Sequence, residues 1–200
     1  MGTGHVMRCL TLANSLRRIG ANVEFICRKH VGNLISAIED QCFIVHALDK
    51  TEVDSKCTEQ CVKAATPRMV KEQVLMHAEW LGASQKADAQ ECCSILKQLK
   101  VDWLIIDHYG IDQTWQLLSK EFYKKLMVID DLGDRHHYCD LLLDQNYGSS
   151  AEKYQFLVPS HCQILIGPQY ALLRPEFEKW REYSLKRRLH PEFKKILITL

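Results

Sequence analysis

The sequence has nine cysteines but no C-x-x-C pair. Cys57 and Cys61 stand four apart and Cys92 and Cys93 are adjacent, spacings that suit neither a zinc site nor a thioredoxin-like redox motif. Also missing at the N-terminus are the basic flank, apolar core and small-residue cleavage site of a signal peptide. An odd cysteine count without an export signal reads as reduced thiols in the cytoplasm, several of them acting as small buried hydrophobes. No run of about eighteen apolar residues occurs, so no transmembrane helix is expected. Charge of one sign is not in excess: 26 Lys and Arg face 25 Asp and Glu, a formal net charge of +1, which predicts neither a nucleic-acid nor a membrane partner. There is no Gly/Ser-rich linker.

What the sequence does have is apolar content, 46% of 200 residues, enough for one sizeable α/β domain or one domain and a piece of another. The first readable stretch is Gly2-Thr3-Gly4-His5-Val6-Met7-Arg8-Cys9-Leu10. The third glycine of a dinucleotide fingerprint would fall at Met7, and the Gly-Lys-Ser/Thr end of a P-loop is missing. Val6, Cys9, Leu10, Ala13, Leu16 and Ile19 lie three or four apart, which predicts one buried helix face, with Gly20 as its stop. A glycine turn would then deliver His5 to the first helical turn. The N–H groups there lack partners, the dipole favours negative charge, and a histidine tends to stay neutral and able to accept a proton. His5 is therefore the candidate general base; the alternative is a surface histidine near a helix N-cap.

Downstream, strands are predicted at 22–27 and 42–48 around a short helix at 33–39, an alternation that argues a parallel sheet. Residues 49–82 are polar and read as an irregular insertion with some helix, with Trp80 and Leu81 as apolar anchors. Ser84 is placed to cap a helix running to Leu99. Strands at 101–106, 125–129 and 139–143 then end in Asp107-His108-Tyr109-Gly110, Asp130-Asp131 and Asp144-Gln145-Asn146. Ligands bind at the carboxyl ends of strands in open α/β sheets, so the repetition marks one sheet edge as a site, although a single aspartate there can equally cap a turn. His136-His137 are adjacent and point apart on a strand or turn, unlike metal ligands. His30, His46, His77, His161 and His190 stand alone and read as surface or core residues. A last strand at 162–166 precedes Tyr170-Ala171-Leu172-Leu173-Arg174-Pro175, where Pro175 opens a charged helix to about Leu189; 195–200 reads as a new strand.

The glycine-histidine stretch, Ile106-Asp107-His108-Tyr109-Gly110, Ile129-Asp130-Asp131 with Arg135-His136 and Cys139 to Asn146, and Tyr170 to Arg174 together resemble one family. It is the UDP-2,4-diacetamido-2,4,6-trideoxy-β-L-altropyranose hydrolase of pseudaminic acid biosynthesis. The resemblance implies the N-terminal domain of a GT-B-like fold, two Rossmann-like domains with the nucleotide sugar between them. Residues 1–190 would be that domain, lacking its first strand, and 191–200 the first strand of a C-terminal domain whose remainder completes the UDP site. The implied reaction is removal of UDP by water with inversion, needing no cofactor or metal, with His5 as base. Gly4, Arg8, Asp107, His108, Tyr109, Asn146 and Arg174 are the implied substrate-binding residues. Tyr109 would orient substrate, Arg174 would anchor its oxygens, Asp107 and His108 would position Tyr109 or His5, and Asp131 would be a lesser contributor. Two other readings are open at this level: a GT-B glycosyltransferase with an acceptor hydroxyl in place of water, and an inactive truncated fragment.

Overall fold

A computed structural model of the chain describes residues 3–50, 75–190 and 196. The predicted strand at 195–200, residues 191–200 as a unit, Gly2, and the cysteines at 57 and 61 lie outside the described residues, apart from Ile196.

The chain is α/β with parallel strands, consistent with a Rossmann-like fold. Helix α1 (Thr3–Arg18) leads to β1 (Glu24–Arg28), α2 (Ile35–Glu39) and β2 (Ile44–Leu48), and β1 and β2 form a parallel pair. Helix α3 (Gln85–Leu96), β3 (Val101–Ile106), α4 (Gln113–Ser119), β4 (Tyr123–Ile129), β5 (Leu141–Asp144) and β6 (Gln163–Ile166) follow, and the four strands make a parallel sheet in the order β3-β4-β5-β6. Helix α5 (Pro175–Arg188) comes last. Within this four-stranded sheet, only β3 and β4 are joined through an α-helix; β4–β5 and β5–β6 cross over by loops, the second with a 3₁₀ turn at Ala151–Tyr154. All four strands therefore end on the same edge.

Helix α1 ends as its sequence predicts. The Gly20 N–H bonds to the Arg17 carbonyl and the Ala21 N–H to the Leu16 carbonyl, with Gly20 at φ 92°, the paired bonds of a Schellman stop. Ile19, predicted on the buried face, is 81% exposed, because the helix has already ended and the helical spacing no longer places it. Gly4 also departs from expectation. It lies within α1 and not in a turn ahead of it, and a Cβ there would meet nothing within 4 Å.

Helix α1 packs on both sheets. Leu10 and Ala13 join Ile38 and Phe43 over the β1–β2 pair, while Leu12 packs against Met127, Ile129 and Leu143 of the larger sheet. The main core lies on the larger sheet's other contacts, around Trp115, Leu126, Val128, Leu142 and Tyr154. The first turn of α1 is thus held beside the carboxyl end of β3, and the burial of a leucine on each side fixes the helix's rotation.

Helix α3 begins where predicted, with the Ser84 hydroxyl accepting from the Ala87 N–H at 3.2 Å. Helix α5 has the predicted Pro175 start, yet buries no residue: Phe177, Trp180 and Tyr183 are exposed along with its charges.

Candidate functional site at the tip of strand β3

Asp107 is the first residue after β3, and its side chain is 3% exposed. Three residues of α1 converge on it. His5 Nδ1 lies 2.6 Å from Oδ1, Arg8 Nη2 lies 2.5 Å from the same oxygen, and Arg8 Nε donates to Oδ2 at 2.6 Å. The Cys9 thiol adds a 3.4 Å contact to Oδ2. His5, Arg8 and Cys9 share one helix face because they are three and four residues apart. Burial works against the Asp107 carboxylate, but the Arg8 and His5 hydrogen bonds outweigh it and hold its pKa below the usual carboxylate range. Burial likewise works against the Arg8 guanidinium, but its hydrogen bonds to Asp107 and that carboxylate's charge together raise its pKa.

A 2.6 Å contact between a ring nitrogen and a carboxylate oxygen needs a proton between them. That proton sits on His5 Nδ1, and Nε2 is then the ring's proton-accepting atom when the imidazole is neutral. Arg8 Nη2 lies 3.2 Å from Nδ1 as a neighbour; its hydrogen bond goes to the carboxylate.

Tyr109 packs edge-on against His5, with ring centroids 4.8 Å apart and planes at 82°. Its hydroxyl donates to Asp131 Oδ1 at 2.6 Å, and Asp131 Oδ2 lies 3.9 Å from Arg8 Nη1. Burial, reinforced by the Asp131 carboxylate, pushes the Tyr109 phenol up to about 12. Asp131 thus closes a ring of contacts: Arg8, Asp107, His5, Tyr109 and back to Asp131.

The three strand tips divide their work. Asp107 and Asp131 serve this cluster. Asp130 is fully buried, with Oδ1 2.8 Å from Arg135 Nη2 as an ion pair and Oδ2 accepting from the Gly133 N–H. Asp144 is also buried and takes the hydroxyls of Ser149 and Tyr154 and the Asn146 N–H. These two aspartates hold loops, the outcome expected of an aspartate after a strand.

His108 is a support. Its Nδ1 accepts from the Gly110 N–H at 2.9 Å, it interacts with the Trp80 backbone, and burial lowers its pKa to about 4. His137 is an interior residue: Nδ1 takes the Gln116 side-chain amide, whose oxygen takes the Tyr138 N–H, and burial lowers its pKa to about 4. Among the described residues, no three His, Cys, Asp or Glu side chains converge as metal ligands.

Asn146 and Arg174 stand apart from the cluster in their contacts. Asn146 is exposed at the β5 tip, and Arg174 is exposed at the start of α5 with its guanidinium 5.5 Å from the Phe177 ring. Cys9, His77 and Trp80 belong to the neighbourhood without having been predicted there. Cys9 carried a signal, its place one turn from His5; His77 and Trp80 carried none beyond aromatic character.

No protein-family profile matches the chain. Over 88 residues, 44% of the chain and 32% of the relative, it is 41% identical to the UDP-2,4-diacetamido-2,4,6-trideoxy-beta-L-altropyranose hydrolase of Campylobacter jejuni. An alignment of 201 positions taking in the whole chain and 34% of the relative is 27% identical to an uncharacterized protein of Methanocaldococcus jannaschii. The chain covers about a third of the length of the curated relatives it matches. No helix among the described residues is long and apolar enough to cross a membrane.

Proposed function

We propose that this chain carries the base-bearing side of a UDP-sugar hydrolase active site, acting on a UDP-linked 2,4-diacetamido-2,4,6-trideoxy sugar. The observation that carries the reading is the His5–Asp107 contact, supported by the local similarity to the Campylobacter enzyme. Asp107 holds the Nδ1–H and leaves Nε2 to take a proton from water. The water oxygen bonds to the anomeric carbon as that carbon's bond to the UDP oxygen breaks. UDP departs with the electron pair, and the new bond forms on the opposite face, with inversion. The imidazolium formed at His5 is stabilised by the Asp107 carboxylate.

Arg8 has a different task. It neutralises Asp107, so the carboxylate orients the imidazole without competing for its proton. Tyr109 and Asp131 border the reacting region and orient sugar hydroxyl or acetamido groups. Gly4 leaves the first turn of α1 without a side chain, so substrate can approach the helix N-terminus beside His5. Arg174 and Asn146 are anchors for the outer part of the ligand. A second Rossmann-like domain, in a GT-B arrangement, supplies the remaining contacts to UDP.

The test is UDP release from the nucleotide sugar by the protein and its His5→Ala and His5→Gln variants, with product anomers read by NMR. Loss of release by about two to four orders of magnitude with substrate binding retained supports the assignment. Release close to the unsubstituted rate rejects His5 as the base.

A further inference from the structure

The segment from Leu75 to Gly82 lies far from α1 in sequence, yet its rings continue the surface that begins at His5. His77 and Trp80 stack with centroids 4.3 Å apart and planes at 34°. Tyr109 lies 5.7 Å from His77 and 6.1 Å from Trp80, and on its other contact lies 4.8 Å from His5. His77, Trp80, Tyr109 and His5 are all partly exposed.

This aromatic shelf is held by packing and backbone hydrogen bonds. Leu75 and Leu81 are buried at 7% and 4% exposure, bracketing the two rings. The Trp80 N–H bonds to the His77 carbonyl, and Gly82, at φ 72°, ends the 3₁₀ turn at Ala78–Leu81. A Cβ on Gly110 would come within 2.9 Å of the His77 carbonyl oxygen, so the turn is seated against the β3 tip where glycine alone leaves room. His108 joins the same two parts through its bond from the Gly110 N–H and its interaction with the Trp80 backbone.

We propose that Trp80, backed by His77, is the wall on which the sugar of the nucleotide sugar lies. Contact is through the C–H face of the pyranose and its acetamido methyl groups. This rests on the function proposed above and specifies its substrate contact. The sugar is favoured over the uracil because the shelf is one ring away from His5. The reacting carbon belongs to the sugar, whereas two phosphates separate it from the nucleoside. A partly exposed indole offers apolar area that a deoxy, diacetamido sugar can cover and that a fully hydroxylated sugar covers less well.

The experiment is saturation-transfer NMR and a binding titration on the full chain. The probes are UDP and a hydrolysis-resistant analogue of the diacetamido nucleotide sugar with methylene in place of the anomeric oxygen. In the unsubstituted protein the acetamido methyl and pyranose protons should take up more saturation than the uracil protons. Trp80→Ala should weaken the analogue roughly tenfold and remove the sugar enhancement while UDP affinity stays within about twofold; Trp80→Phe should retain the enhancement. His77→Ala supplies the same comparison if Trp80→Ala does not fold. Equal weakening of UDP and analogue, or no weakening of either, overturns the wall and leaves the hydrolase reading standing. Failure of the unsubstituted protein to bind the analogue overturns both.

Discussion

Arg8 meets Asp107 through two contacts, Nε to Oδ2 at 2.6 Å and Nη2 to Oδ1 at 2.5 Å, and Oδ1 is also the oxygen that faces His5. One carboxylate therefore holds the helix to the strand tip and orients the imidazole. The two side chains are 12% and 3% exposed, so the pair is largely removed from water. In such a setting, removal of one partner costs more than removal of both, because the survivor is left charged without compensation.

Asp107→Asn should accordingly destabilise the protein by roughly 3–5 kcal/mol, while the double variant Asp107→Asn/Arg8→Met should recover a good part of that loss. Chemical denaturation of the two singles and the double closes the cycle. The activity pattern should differ: UDP release should stay low in the double variant, because the His5 tautomer is no longer fixed. Recovery of both stability and activity together would mean that Asp107 has no orienting role.

A pH dependence follows from His137, which is buried, and His108, which is partly buried. His108 and His137 titrate near 6.5 when unfolded, and burial lowers both to about 4 in the folded protein. As pH falls from about 6.5 towards 4, the unfolded chain takes up these protons first, so stability declines by up to about 1.4 kcal/mol per histidine for each pH unit. Above that window both rings are neutral in either state and contribute no slope. Asp107 acts lower in the range. Its depressed pKa gives stability that is present above the unfolded carboxylate value and is lost as pH falls through the folded one. The urea midpoint should therefore drop between pH 7 and 5, and His137→Gln should flatten about half of the drop. A midpoint flat across that interval in the unsubstituted protein would contradict neutral burial of these rings.

Gly110 tests the seating of the 75–82 segment. An added methyl must displace the His77 carbonyl, 2.9 Å from the Cβ position, or the His108 ring at 3.1 Å. Gly110→Ala should cost about 1–3 kcal/mol and perturb the Trp80 fluorescence. Gly4→Ala, whose Cβ meets open space, should cost far less and makes the control. If the two glycines respond alike, the close approach is not a constraint.

Much of the architecture is legible in the chain because its signals are local. Alternation of apolar runs located each strand among the described residues within about two residues, Ser84 and Pro175 marked helix starts, and Gly20 marked a stop whose Schellman bonds the structure shows. The strand-tip clusters were legible as a group. Which of their aspartates act could not be read, because Asp107, Asp130, Asp131 and Asp144 occupy the same kind of position after a strand. Asp130 and Asp144 are claimed by Arg135 and by Tyr154 and Ser149, partners that folding alone brings near.

The chain by itself determined that His5 opens a helix, that Arg8 and Cys9 share its face, and that β3 ends in Asp107-His108-Tyr109, since turn chemistry and periodicity depend on residues a few positions apart. Only the tertiary structure decided that this face meets Asp107, across roughly a hundred residues of sequence, and that a histidine and a tryptophan from an unpatterned segment stand beside them. Those pairings depend on how α1 buries leucines on both of its flanks and on the space left at Gly110. They are properties of packing, which no local pattern encodes.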